Sequence, residues 1–175
     1  MTLYKKITSV DDEKDSIVLF TSLLLRYPEI CSLNYYPQEN TLKLIFILCG
    51  NLQKPLLNKF SDELNISIQA YLFFEKNETP REIIINYDYE SELTRVIITR
   101  DADTLTQKEI SLIIKLLHVH FKKFLFSEEK TIFAEEDLPV QDDYIKDMLE
   151  NLQPESFKNE IIALREDGRV LIFKQ

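Results

Sequence analysis

Residues 32–49 read SLNYYPQENTLKLIFILC. Leu42, Leu44, Phe46 and Leu48 alternate with Lys43, Ile45 and Ile47, a period of two that puts successive side chains on opposite faces of a β-strand. The leucines and Phe46 fill one face. Ile45 and Ile47 make the other face apolar as well, so this strand is expected in the middle of a sheet. The polar turn Gln38-Glu39-Asn40 connects it back to Ser32–Pro37, which predicts a hairpin. If Tyr36 pairs with Leu42, Cys31 faces Ile47 and Cys49 is a diagonal neighbour.

Upstream, residues 10–27 carry Ile17, Phe20, Leu24 and Tyr27 at helical spacing, with Ser9 and Asp12 placed as a capping box and Pro28 as the stop. Downstream, Pro55 opens a short helix over 53–64 whose inner side is Leu56, Leu57, Phe60 and Leu64. Ile66, Ile68, Ala70 and Leu72 then alternate with Ser67, Gln69, Tyr71 and Phe73, the pattern of a strand. Asn77–Pro80 reads as a turn, and residues 81–89 and 92–100 as two more strands, so that 66–100 forms an antiparallel meander.

The longest helical signal lies over 106–125. Thr106 and Glu109 fit a capping box, and Ile110, Ile113, Ile114, Leu117, Phe121 and Phe124 form a stripe widened by Leu112, Leu116 and Val119. Ser111, Lys115, His118 and Lys122 make a narrow polar stripe. A surface connection is expected over 126–138, followed by a helix from Pro139 with Tyr144, Ile145, Met148, Leu149 and Leu152 on its apolar side. Asp167-Gly168 is the clearest turn in the chain. Both residue types tolerate the positive φ of a type I′ hairpin turn, with Ile162 and Leu164 facing the same way as Leu171 and Phe173. The expected class is α+β: a largely antiparallel sheet of about five strands packed against helices, with a C-terminal helix plus β-hairpin. Residues 1–125 would be the main domain and 126–175 an appendage, packed on the same domain or reaching a neighbouring subunit. No residue-level repeat is apparent.

Composition narrows the function. The 175 residues are 45% hydrophobic and carry 21 Lys+Arg against 30 Asp+Glu, a net charge of -9. A chain of that length buries roughly 70% of its unfolded surface and needs no disulfide or metal to fold. Gly50 and Gly168 are the only glycines, which excludes glycine-rich phosphate loops and dinucleotide fingerprints. The acidic balance disfavours nucleic acid, because counterion release needs clustered Lys and Arg. No apolar run reaches the ~18–20 residues of a membrane span. The opening Met-Thr-Leu-Tyr-Lys-Lys has no signal-peptide core, so a cytoplasmic setting with reduced Cys31 and Cys49 is expected. The glycosylation patterns at Asn65 and Asn77 are then silent. Abundant Ile, Lys and Asn beside only four alanines point to an AT-rich, bacterial genome.

The chain has neither GxSxG nor HExxH. His118 and His120, the only histidines, are about 200° apart on a helix and cannot share one metal. His118 reads as a solvated residue. His120, nearer the apolar side, reads as a structural histidine with a general base as its functional alternative. Asp101 and Asp103 are candidate oxygen ligands for Mg²⁺ or Mn²⁺, although turn and cap chemistry accounts for both. Cys31 and Cys49 read as small buried thiols. The acidic run Glu135, Glu136, Asp137, Asp142 and Asp143 reads as a solvated connection, and Tyr35, Tyr36, Tyr87 and Tyr89 as cross-strand packing. No cofactor is expected. The expectation is a non-catalytic protein–protein interaction or assembly module that forms a homodimer or binds a protein partner. The alternatives are a metal-assisted enzyme using Asp101, Asp103 and His120, or a ligand-sensing domain.

Overall fold

The computed structural model describes residues 14, 16–128 and 135–175. A helix, α1, covers 16–26 and is followed by strands β1 (Ser32–Tyr36) and β2 (Thr41–Cys49), helix α2 (Lys54–Lys76), strands β3 (Ile83–Glu90) and β4 (Leu93–Asp101) and helix α3 (Gln107–Phe121). A short 3-10 turn then leads into α4 (Leu138–Glu150), and the chain closes with β5 (Ile161–Glu166) and β6 (Arg169–Lys174). All six strands form one antiparallel sheet in the order β3-β4-β2-β1-β5-β6. The fold is α+β. The sheet has six strands rather than about five, because β5 pairs with β1 and adds the terminal hairpin to the same sheet. No described helix is long and apolar enough to cross a membrane. The Ser9–Asp12 cap lies outside the described residues.

β2 is internal, between β4 and β1. Its inward row Leu42, Leu44, Phe46 and Leu48 is fully buried, with Val96 and Ile98 of β4, Leu33 and Tyr35 of β1, and Ile161 and Ala163 of β5. Burying each large apolar side chain is worth about 1.5–3 kcal/mol. Helix residues Leu19, Phe20, Leu23 and Leu24 of α1, Ile110, Ile113 and Leu117 of α3, and Ile145 of α4 complete this core. Tyr87 bonds Ser61 (2.6 Å) and the Leu57 carbonyl (2.9 Å), and Tyr89 bonds the Leu52 carbonyl (3.0 Å); these tyrosines tie β3 to α2 and the segment before it.

Three expectations are corrected. First, 66–72 is not a strand: α2 is one helix of 23 residues. Leu57, Phe60, Leu64, Ile68 and Leu72 are its buried residues, spaced by three and four, while Ile66 and Ala70 point outward. The alternation of Ile66, Ile68, Ala70 and Leu72 was a helical i, i+4 pair overlaid on two exposed apolar residues. Asn77 ends the helix at φ 54, its own amide and that of Glu78 bonding the carbonyls of Phe73 and Leu72. Second, β1 and β2 pair one residue out of the expected register, Tyr36 facing Thr41 and Ser32 facing Ile45. Third, α3 stops at Phe121, and Leu125 instead bridges to Leu48. The terminal turn is as expected: Asp167 and Gly168 have φ 48 and 73, and Leu164 pairs with Leu171 and Ile162 with Phe173.

The topology also contains a repeat that residue identities conceal. β1-β2-α2 and β3-β4-α3 are both hairpin-plus-helix units, and their inner strands β2 and β4 lie side by side, antiparallel. Leu57, Phe60, Leu64 and Ile68 of α2 answer to Ile110, Ile113, Leu117 and Phe121 of α3 at identical spacing, and all eight are buried.

The continuity of α2 is testable. Ile68→Ala is expected to lower stability by about 2–4 kcal/mol, as for other buried large-to-small changes, and Ile66→Ala by no more than about 0.5 kcal/mol. Urea unfolding of the two variants is the check; equal losses would fit a two-faced strand instead.

Candidate functional site

The densest buried polar group lies where β4 ends and α3 begins. Alternation along β4 sends Val96, Ile98 and then Arg100 inward, and Arg100 is 0% exposed. In the first half of the repeat Leu48 holds the matching place. Arg100 Nε donates to Glu109 Oε1 at 2.6 Å, and Nη2 donates to Glu109 Oε2 at 3.0 Å and Thr104 Oγ1 at 2.9 Å. Nη1 donates to the Glu82 carbonyl at 2.8 Å and to Asp101 Oδ1. All five guanidinium donors are thereby used.

Asp101 is saturated in the same way. Oδ1 also accepts the Arg81 and Glu82 amides at 3.0 Å each, and Oδ2 accepts the Thr104 amide at 3.0 Å and its hydroxyl at 2.6 Å. Burial alone would lower the Arg100 pKa, but the hydrogen bonds and charge of Glu109, with Asp101, hold it above its ordinary value. Burial would raise Asp101, yet the Thr104 and Glu82 hydrogen bonds and the Arg100 charge keep it below the usual carboxylate range. Burial pushes Glu109 up.

Thr106 caps α3 by accepting the Glu109 amide at 3.1 Å. The expected reciprocal half of the capping box is missing because the Glu109 carboxylate is bound to Arg100 instead. Asp103, by contrast, is exposed and takes hydrogen bonds from Arg81 (2.6 Å) and Asn40 (2.9 Å). Asn40 in turn accepts the Tyr35 hydroxyl at 2.9 Å, and burial raises the Tyr35 pKa. The two aspartates therefore face different partners and meet only through Arg81, whose amide bonds Asp101 and whose guanidinium bonds Asp103. Among the described residues no three His, Cys, Asp or Glu side chains are grouped to hold a metal ion.

The histidines also serve separate contacts. His118 Nε2 lies 2.8 Å from Glu29 Oε1, and His120 Nε2 lies 2.9 Å from Glu63 Oε2. The His120 side chain, 7% exposed, stands edge-on to Phe60 with ring centroids 5.6 Å apart and so joins α3 to α2. Eleven residues separate it from Glu109 along α3, roughly 16 Å of helix, so it does not meet the Asp101 cluster.

A groove of about 890 Å³ runs between the end of α1 and α3, lined in part by Tyr27, Glu29, Ser111 and His118. Ser111 bonds Tyr27 (3.0 Å) and Gln107 (3.1 Å), two turns of helix from His118. No serine–histidine pair forms there. Of the cysteines, Cys31 is half-buried, burial pushing its thiol up to about 11, and Cys49 is exposed rather than buried. The acidic Asp142 makes a two-point pair with Arg26 at 2.8 and 3.2 Å.

Sequence reasoning named Asp101 but missed its partners. The available signal was an arginine at an inward β4 position, with Glu109 one helical turn before Ile113 on the buried side of α3. No protein-family model, curated protein or solved structure matches the chain.

Glu109→Ala leaves two donors of the buried Arg100 guanidinium unpaired and is expected to cost about 3–5 kcal/mol, whereas Arg100→Leu with Glu109→Leu should recover most of that loss. A double-mutant cycle by chemical denaturation measures the coupling. Asp101 also predicts a pH effect. A depressed folded pKa contributes stability above the unfolded value of about 3.9, and that contribution is lost as pH falls through the lower folded value. Asp101→Asn should therefore lower stability at neutral pH and flatten its decline as pH falls below about 4. Unfolding curves across that range are the measurement, and an unchanged decline would contradict the linkage.

Proposed function

We propose that the protein is a non-catalytic interaction or assembly module that works through protein–protein contacts and self-associates. The observation that carries this reading is the second face of the sheet. Ile45, Ile47, Ile84, Ile97, Ile162, Leu164, Leu171 and Phe173 all lie on it by register, and they stand outside the buried core. Ile84 and Phe173 are exposed and the others only partly covered. Apolar surface of that extent marks contact sites on folded proteins. Placement of the reactive groups supports the same reading. Arg100, Asp101 and Glu109 spend their hydrogen-bonding capacity on one another and on nearby backbone, and each histidine is paired with a glutamate of another segment.

Light scattering at micromolar concentration is expected to give twice the 20.7 kDa chain mass; a clean monomer would overturn self-association. The competing metal-assisted enzyme is tested separately. Calorimetric titration with Mg²⁺, Mn²⁺ and Zn²⁺ is expected to give no saturable binding, and binding abolished by Asp101→Ala would favour the enzyme.

A further inference from the structure

We infer that the open face of the sheet is where a second copy of this chain docks, sheet against sheet across a two-fold axis. The inference rests on the self-association proposed above and names the surface responsible. Across the middle of the face run Ile97, Ile45, Ser32, Leu164 and Leu171, one from each of β4, β2, β1, β5 and β6. Ile84, Ile162 and Phe173 lie in the row on one side of it, and Ile47 on the other.

Charge favours a copy of the same chain. The protein as a whole carries -9, but this face does not share that excess. Leaving aside Asp101, which is buried against Arg100, its strands present Lys43, Arg95 and Arg169 against Asp88, Glu90 and Glu166. Most of these are already balanced locally. Arg95 pairs with Asp88 and lies 3.9 Å from Glu90, and Glu166 faces Arg169 across β5 and β6. Two such faces meet without the repulsion that the rest of the surface would impose.

Shape and size point the same way. Six strands at ~4.8 Å spacing span about 24 Å, whereas a helix is only ~10–12 Å across and would leave half the face wet. A second sheet stacks at about 10 Å with interdigitated side chains. Two copies would together bury on the order of 1,000 Å², enough for a specific interface. Contact of a patch with itself is the geometry of a two-fold dimer.

The rival surface is the outer stripe of α2, where Ile66 is 69% and Phe74 is 81% exposed, with Phe73 and Ala70 beside them. The test sets the two against each other. Because the chain has no tryptophan, Phe173→Trp and Phe74→Trp each create a single fluorescent reporter at an already exposed aromatic position. With Phe173→Trp, emission should shift to the blue with the same concentration midpoint as dimer formation, while Phe74→Trp should stay unshifted. Sedimentation of Leu164→Lys should show at least 100-fold weaker dimerisation with an unchanged circular dichroism spectrum, and Phe74→Ser should dimerise like the wild type. A dimer that survives Leu164→Lys, or a blue shift confined to Phe74→Trp, would overturn the sheet interface while leaving self-association intact. A wild-type monomer would overturn both.

Discussion

The fold depends on the pairing of β2 with β4, two nine-residue strands that carry apolar side chains on both faces. An antiparallel ladder satisfies their backbone groups, and the pleat divides their side chains into two rows. One row needs a cover, and the helices supply it. The amphipathic faces of α2 and α3 have the right spacing to close over that row, and α1 and α4 extend the cover toward β1 and β5. The other row carries Ile45, Ile47 and Ile97 beside Lys43 and Arg95, and these side chains stand outside the core. The proposed activity therefore follows from the strand pair at the centre of the fold.

The buried ionic cluster is the second constraint. Taking Arg100 and Glu109 out of water is expensive, and a pair of this kind rarely improves on well-packed hydrocarbon in net stability. Its value lies in geometry. A planar guanidinium with five donors admits one arrangement of Glu109, Asp101, Thr104 and the Glu82 carbonyl. That arrangement sets the path of the chain as it leaves the sheet and turns into α3, and it diverts Glu109 from the capping box for which its position is suited.

Much of the fold was legible in the residues. The alternation through 41–48 marked a central strand, Asp167-Gly168 marked a hairpin with both φ angles positive, and Thr106 marked the start of α3. The failures have definite physical origins. Ile66 and Ala70 are exposed apolar residues, so period-two reasoning counted them as an inward face although the buried set follows helical spacing. The β1–β2 register depends on how the chain passes Pro37–Asn40, where Asn40 takes a positive φ, and a one-residue slip is invisible to composition. For the site, the aspartates and histidines were visible as types. Their separation was not, because it depends on which end of α3 lies over β4. Arg100 escaped notice because a charge at an inward strand position has meaning only once its partner is found on another element.

The doubled architecture gives the Arg100–Glu109 bond a further role. In the first half, Leu48 and Leu56 occupy the places that Arg100 and Glu109 hold in the second. The two helices share their apolar spacing although α2 has 23 residues and α3 has 15, so the apolar pattern alone does not say which helix closes over the end of β4. If α2 took the place of α3 there, Arg100 would keep only Asp101 as a carboxylate partner, with Leu56 where Glu109 stands, and Glu109 would lose its guanidinium. Loss of that buried pair would cost several kcal/mol, a large fraction of the stability of a typical domain. The ion pair thus works as a key that fits one lock, marking α3 rather than α2 as the helix that belongs over the end of β4.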